Sequence, residues 1–241
     1  MKRICIGLVG DFNEKMHTHV VLNNAIEHCR KYLDFQLEAY WLPTSILTET
    51  IFDQNKFHGL WIVPGSPYVN DNAVYRIIRM ARENDFPMLG SCGGFQHMIV
   101  EHARSVLGLV DAAHEESDPK APYPIITKLA CSLKGRKEDV IVTDRQSWLY
   151  KVLDEERIEG YFYCSYGVNA AEQTKLDYYP FVFTAFSKNG EARAFELKGH
   201  RFFKGTLFQP SLDSYTDNPN PLIQDFLHCC YVFSELRTKN S

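Results

Sequence analysis

The N-terminal half of this chain alternates short apolar runs with segments of helical period, and that alternation restricts the fold more than any other feature. The runs at 4–9, 59–64 and 87–90 are too short for helices and nearly free of polar residues, so they read as buried strands. Another strand is expected at 35–41, with Pro43 ending it. Between these runs, Val20, Val21, Ala25, Ile26 and Cys29 recur at helical intervals within 19–32. Val74, Ile77, Ile78 and Ala81 do the same within 73–84, and a further helix is expected over 94–107. Strands joined by helices predict an α/β fold: a three-layer sandwich with a central, mostly parallel sheet covered on both faces. In such sheets the chemistry gathers beyond the carboxyl ends of the strands, where the turn at Gly65 and the residues after Gly90 fall.

The second half is less regular. Strands are expected at 139–143, 158–166, 180–187, 192–197 and 203–208, several of them antiparallel additions. A closing helix over 221–236 presents Leu222, Phe226, Cys229, Cys230 and Phe233 on one face. The polar breaks at 114–124, 133–139 and 211–221 read as loops crossing one fold, so 1–241 is expected to form one domain. A formal charge of -4 gives no reason to expect nucleic acid or an anionic membrane as partner. No apolar run approaches the roughly 20 residues that span a bilayer. The apolar part of the N-terminus is too short for a signal peptide and reads as the first strand. Seven cysteines, odd in number and irregular in spacing, suit a reducing compartment, and a cytoplasmic location is expected.

One cysteine stands apart. In Phe86-Pro-Met-Leu-Gly-Ser-Cys-Gly-Gly-Phe-Gln96 an apolar run stops at small residues, Cys92 follows, and glycines open a helix. A thiol at a strand-to-helix elbow has helix-terminal N–H groups available to lower its pKa and to hold an oxyanion. The backbone of Gly65, Ser66 and Gly93 supplies the oxyanion-hole candidates. Such a thiol ordinarily works with a histidine base. His97, directly after Gln96, and His114, beside the Glu115-Glu116 pair, are the candidates, but successive helix residues face different directions, so His97 need not point at Cys92. His228, Cys229 and Cys230 are too close together for tetrahedral metal coordination, and neither a metal nor another cofactor is expected.

The elbow and its surroundings resemble the class I glutamine amidotransferase family, most closely the amidotransferase domain found in CTP synthases. Lys56-Phe-His-Gly-Leu-Trp-Ile-Val-Pro-Gly65 is similar to that family's strand into the oxyanion loop, and residues 81–96 to its helix, strand and nucleophile elbow. Residues 103–116 resemble a segment of the CTP synthase branch, and Tyr166-Gly-Val-Asn169 and Leu207-Phe-Gln-Pro210 match later landmarks. The resemblance implies a flavodoxin-like fold and a cysteine that attacks a side-chain amide, giving a thioester and ammonia. It places Cys92 at the nucleophile and Gln96 and Glu116 at the glutamine contacts, with Cys164, Ser165 and Tyr166 in the segment of the substrate clamp.

The departures from the family pattern are as informative. Gln209 falls at the triad histidine and Ser211 at the triad glutamate; neither can accept a proton near neutral pH nor orient an imidazolium. Ser165 stands where a clamp arginine belongs, and Pro64-Gly-Ser-Pro-Tyr68 replaces a run of glycines. The expected function is therefore atypical Cys92 hydrolase or acyl-transfer chemistry on a small amide or amino-acid-like ligand. The competing expectations are an inactive small-ligand sensor or regulatory partner, and a glutaminase subunit feeding ammonia to a separate synthetase. A protein partner or a second copy of the chain is compatible with each.

Overall fold

The computed structural model describes residues 2–52 and 56–239. The first half runs β1 (Arg3–Val9), α1 (His17–Arg30), β2 (Gln36–Leu42), β3 (Gly59–Ile62), α2 (Asp71–Glu83), β4 (Met88–Ser91) and α3 (Gly93–Ser105). Every strand and helix expected there is present. Next come β5 (Ala112–His114), β6 (Tyr123–Lys128), β7 (Arg136–Val142), α4 (Trp148–Leu153), β8 (Arg157–Phe162) and β9 (Tyr166–Val168). The chain continues through α5 (Gln173–Leu176), β10 (Phe181–Phe186), β11 (Ala192–Leu197), β12 (Phe203–Thr206) and α6 (Pro221–Lys239).

The central sheet has the order β2-β1-β3-β4-β12-β11-β10-β7-β8. Its first five strands are mutually parallel. From β12 onward each neighbour is antiparallel, so the parallel half carries the elbow and the antiparallel half extends the sheet. The burial record explains the division. β1, β3 and β4 are apolar and buried on both faces, whereas β7 alternates with exposed charged residues at the far end of the sheet. Helices cover both faces: α2 packs with α3, and α6 packs with α1, α4 and β1.

The closest helix–sheet approach fixes the elbow. An added Cβ on Gly94 would lie 2.1 Å from the Ile62 carbonyl oxygen, so the first turn of α3 rests directly on β3. Gly90 is pressed in the same way against Met98 and the Gly94 backbone. The Arg82–Glu101 pair, at 2.8 Å with Glu101 almost fully buried, ties α2 to α3.

Three expectations need correction. The strand expected over 158–166 is two strands in different sheets. β8 ends at Phe162, and β9 pairs with β6 in a separate three-stranded sheet. The intervening residues bond sideways, with Leu133 N donating to Cys164 O and Leu129 N to Ser165 O. The polar stretches 114–124 and 133–139 are not wholly loops, since they include His114 of β5, the first residues of β6 and the start of β7. These strands are short or half-exposed and lack the continuous apolar run that marks a buried strand. The short helix α4 also lay hidden, signalled only by Ser147, whose hydroxyl caps Tyr150 N.

Candidate active site

Cys92 ends β4 and caps α3 with φ 54° and ψ −109°, a conformation that L-residues rarely adopt. Its amide donates to Thr206 O at 2.9 Å, carrying the β4–β12 ladder one residue further, while its carbonyl accepts from Gln96 N. The backbone is thus held from both sides, and the side chain projects into a cavity of about 130 Å³ beyond the carboxyl ends of β3, β4 and β12.

That cavity gathers most of the candidates from distant parts of the sequence. Gly65, Ser66, Cys92, Gln96, Glu116, Cys164, Ser165, Tyr166 and Gln209 all line it. Gly93, which follows Cys92, packs against Ser66, whose backbone nitrogen would sit 3.0 Å from a Cβ at that glycine. Gly65 has φ +117° and packs on the buried His19, so only glycine fits there without strain. Neither the Gly65 nor the Ser66 amide donates a hydrogen bond to another described residue. Ser211 does not line the cavity and is buried in the 3₁₀ turn Pro210–Asp213.

Three histidines come near the site, and each is engaged elsewhere. His97 bonds Gly93 O at 2.9 Å and Asp71 Oδ1 at 3.0 Å. Burial opposes ionisation of Asp71, but the bonds from His97, Ser117 and Tyr68 N prevail and hold its carboxyl down at about 2. His19 bonds Asn13 N and Pro64 O beneath the oxyanion loop. His114 accepts from Glu116 N through Nδ1, so its Nε2 carries the proton and donates to Gln96 Oε1 at 2.9 Å. Burial depresses His114 to about 3, which keeps it neutral. Gln96 then donates to Tyr166 O at 2.8 Å, so its amide is locked in one orientation.

Gln209 and Ser211, the residues expected at the triad positions, are buried neutral groups. The Gln209 amide and the Ser211 hydroxyl make no regular hydrogen bond, although the Gln209 amide approaches Cys92 closely enough to favour its thiolate. A thiol contact from Cys164 favours it most, and the Gly93 amide adds to the effect. Together these outweigh burial and the charge of Glu116, and Cys92 titrates below the ordinary thiol range. Cys164 moves well above it, because it serves as the donor and is buried.

Glu116 is raised by burial, partly offset by the 3.0 Å bond from Ser66 Oγ and by the nearby Lys134 charge. Removing that carboxylate with Glu116→Gln also removes a negative charge that opposes the Cys92 thiolate. The variant is expected to titrate Cys92 at lower pH than the wild type, read from the pH profile of its alkylation by iodoacetamide. A shift to higher pH would show that Glu116 acts mainly through packing.

Met16, Thr18, Lys134 and Tyr163 also line the cavity and were not among the expected site residues, although Tyr163 directly precedes the expected Cys164. Lys134 lies in a stretch that reads as polar loop, and no local motif marks it. Among the described residues there is no cluster of three or more His, Cys, Asp or Glu side chains suited to a metal ion. No described helix is long and apolar enough to cross a membrane.

The parallel half of a mixed α/β sheet thus ends in a strained cysteine elbow that faces backbone amides. The family profile "Glutamine amidotransferase class-I" matches residues 19–227, and the chain belongs to that family. The CTP synthase of Sulfolobus acidocaldarius is 30% identical over 239 residues, covering 94% of this chain and 45% of the relative. The CTP synthase of Methanopyrus kandleri is 28% identical, covering 90% and 43%. The chain therefore spans less than half the length of these curated relatives. Among solved structures, the glutaminase domain of Trypanosoma brucei CTPS with bound acivicin superposes with a TM-score of 0.84 at 20% identity, covering 95% of this chain and 94% of that one. A glutamine amidotransferase of Thermotoga maritima gives a TM-score of 0.57 at 11% identity, covering 97% and 94%. These structural likenesses establish the shared fold.

Proposed function

We propose that this chain binds a small amide or α-amino-acid-like ligand and captures it covalently at Cys92, without a histidine–glutamate relay. The observation that supports the reading best is a thiol biased toward its thiolate in a cavity that also presents the Gly93 amide, Glu116 and Lys134. In this scheme the Cys92 sulfur attacks the ligand carbonyl carbon, and the amides of Gly65, Ser66 and Gly93 receive the oxyanion. Collapse of the adduct releases the amine, which takes its proton from water. Ligand orientation follows from charge: Glu116 meets an ammonium, and Lys134 meets a carboxylate that Ser165 cannot hold. Absence of a general base makes turnover slow, on the order of 10²–10⁴-fold below a complete relay. A cytoplasmic setting suits a site whose cysteines are all free.

Intact-protein mass spectrometry after exposure to a chloroketone analogue of glutamine tests the reading. One adduct, mapped to Cys92, is the expected result. No adduct with the analogue, while a small alkylating reagent modifies Cys92 readily, would overturn it.

A second reading, a non-covalent ligand sensor, is favoured by the buried, neutral Gln209 and Ser211, which keep a polar pocket wall without a proton relay. On that reading Cys92→Ala leaves ligand binding intact, as measured by calorimetry. The expected role as an ammonia-producing subunit requires glutamine hydrolysis that appears or rises when a synthetase partner is added.

A further inference from the structure

The proposed nucleophile has a neighbouring thiol that forms no covalent bond in amide capture. Cys164 lines the same cavity as Cys92, is 5% exposed against 6% for Cys92, and is near enough for each thiol to shift the titration of the other. The Cys92 sulfur lies 3.9 Å from the carbonyl oxygen of Tyr163, the residue that precedes Cys164. Both thiols are free. The break between β8 and β9 makes this meeting possible, because a continuous strand would carry Cys164 along the sheet edge instead of into the pocket.

We propose that Cys92 and Cys164 form a two-cysteine redox site that reduces a hydroperoxide and closes to an intramolecular disulfide. The step goes beyond amide capture and needs no histidine, because a thiolate attacks peroxide oxygen directly. The Cys92 sulfur bonds the terminal peroxide oxygen, the O–O bond breaks, and the departing alkoxide or hydroxide takes a proton from water. Cys92 is then a sulfenic acid. The Cys164 sulfur attacks the Cys92 sulfur, the S–O bond breaks, and the hydroxide leaves as water with the Cys164 proton. The two cysteines lose two electrons and the peroxide gains them; a dithiol reductant reverses the disulfide.

The surroundings fit this division of labour. Cys92 is the thiol favoured as thiolate, and Cys164 holds its proton until the second step. Burial raises the thiols of Cys5, Cys29, Cys229 and Cys230, which makes them poor competitors. Arg193 is 2% exposed and pairs with Glu191 at 2.7 Å, and its charge partly offsets the forces that keep the Cys164 thiol protonated. The cavity of about 130 Å³ has room for a peroxide, given that a water occupies about 30 Å³.

The test uses the full chain with the exposed Cys131 replaced by serine, reduced and then treated with stoichiometric hydrogen peroxide. Thiol counting is expected to show the loss of two thiols, restored by dithiothreitol, and peptide mapping to link Cys92 to Cys164. In Cys164→Ser the disulfide is replaced by a Cys92 sulfenic acid trapped by dimedone. Three outcomes would overturn the proposal: Cys92 driven to sulfinic acid without a cross-link, a cross-link to a different cysteine, or no oxidation of Cys92. The peptide map of the protein with Cys164 intact decides even if Cys164→Ser fails to fold. Because the oxidant is a peroxide, this result is independent of whether the glutamine analogue labels the site.

Discussion

Cys92→Ala is expected to abolish labelling by a glutamine-mimicking electrophile and any turnover that passes through a covalent intermediate, while Cys92→Gly is expected to do the same in a more stable protein. Both variants remove the sulfur, so any difference between them reports the backbone. Residue 92 is held at φ 54° by the ladder bond to Thr206 on one side and by the first turn of α3 on the other. A non-glycine residue in such a region costs about 1–3 kcal/mol. Glycine removes that cost but returns about 0.4–1 kcal/mol through the greater entropy of the unfolded chain. The net expectation is a Tm for Cys92→Gly above that of Cys92→Ala by about 1–8 °C, at about 2–4 °C per kcal/mol for a chain of this size. Equal melting temperatures in thermal denaturation would show that the elbow carries no strain. Residual labelling in either variant would mean that the electrophile modifies a different residue.

Gly94→Ala is expected to be the most damaging single-methyl change in the protein. Its Cβ would meet the Ile62 carbonyl oxygen at 2.1 Å, and that oxygen belongs to a central strand paired on both sides. Backbone cannot yield as a flexible side chain would, so α3 must lift from β3 or the elbow must distort. Overpacking costs about 1–3 kcal/mol in ordinary cores, and this rigid contact lies at or beyond the upper end. A Tm loss of about 6–12 °C follows for a chain of this size. Because α3 carries Gly93 and Gln96, Cys92 labelling should fall along with stability. A variant that melts like the wild type would place the helix farther from the sheet than the structure does.

The parallel half of the fold was legible because burial on both faces leaves β1, β3 and β4 as unbroken apolar runs, and because α2 shows its buried stripe in Val74, Ile77, Ile78 and Ala81. The far edge was harder to read. β7 opens with Arg136, Lys137 and Glu138, which are loop-like residues in sequence and become strand only by pairing with β8. Similarly, β5 and β6 are short segments stabilised by each other and by β9.

For the candidate site, the chain alone marked the elbow residues Ser91, Cys92, Gly93 and Gly94, since a strand that stops at small residues before a helix has few other geometries. The family resemblance, and not the residues by themselves, set Gln209 and Ser211 where a base and its orienter were expected. Their burial, the turning of His97 toward Asp71, and the closure of His114 on Gln96 and Glu116 were decided by packing, because adjacent helix and strand positions point in directions that only neighbouring elements select. The meeting of Cys92 with Cys164, and of Glu116 with Lys134, belongs wholly to the tertiary structure. Those residues are far apart along the chain, and they come together only because β8 breaks at Phe162 and the following residues bond to the segment ending at Leu133. Sequence determined the elbow and the chemistry its residues can perform. Long-range pairing determined which groups share its cavity, since local periodicity carries no record of contacts made across the sheet.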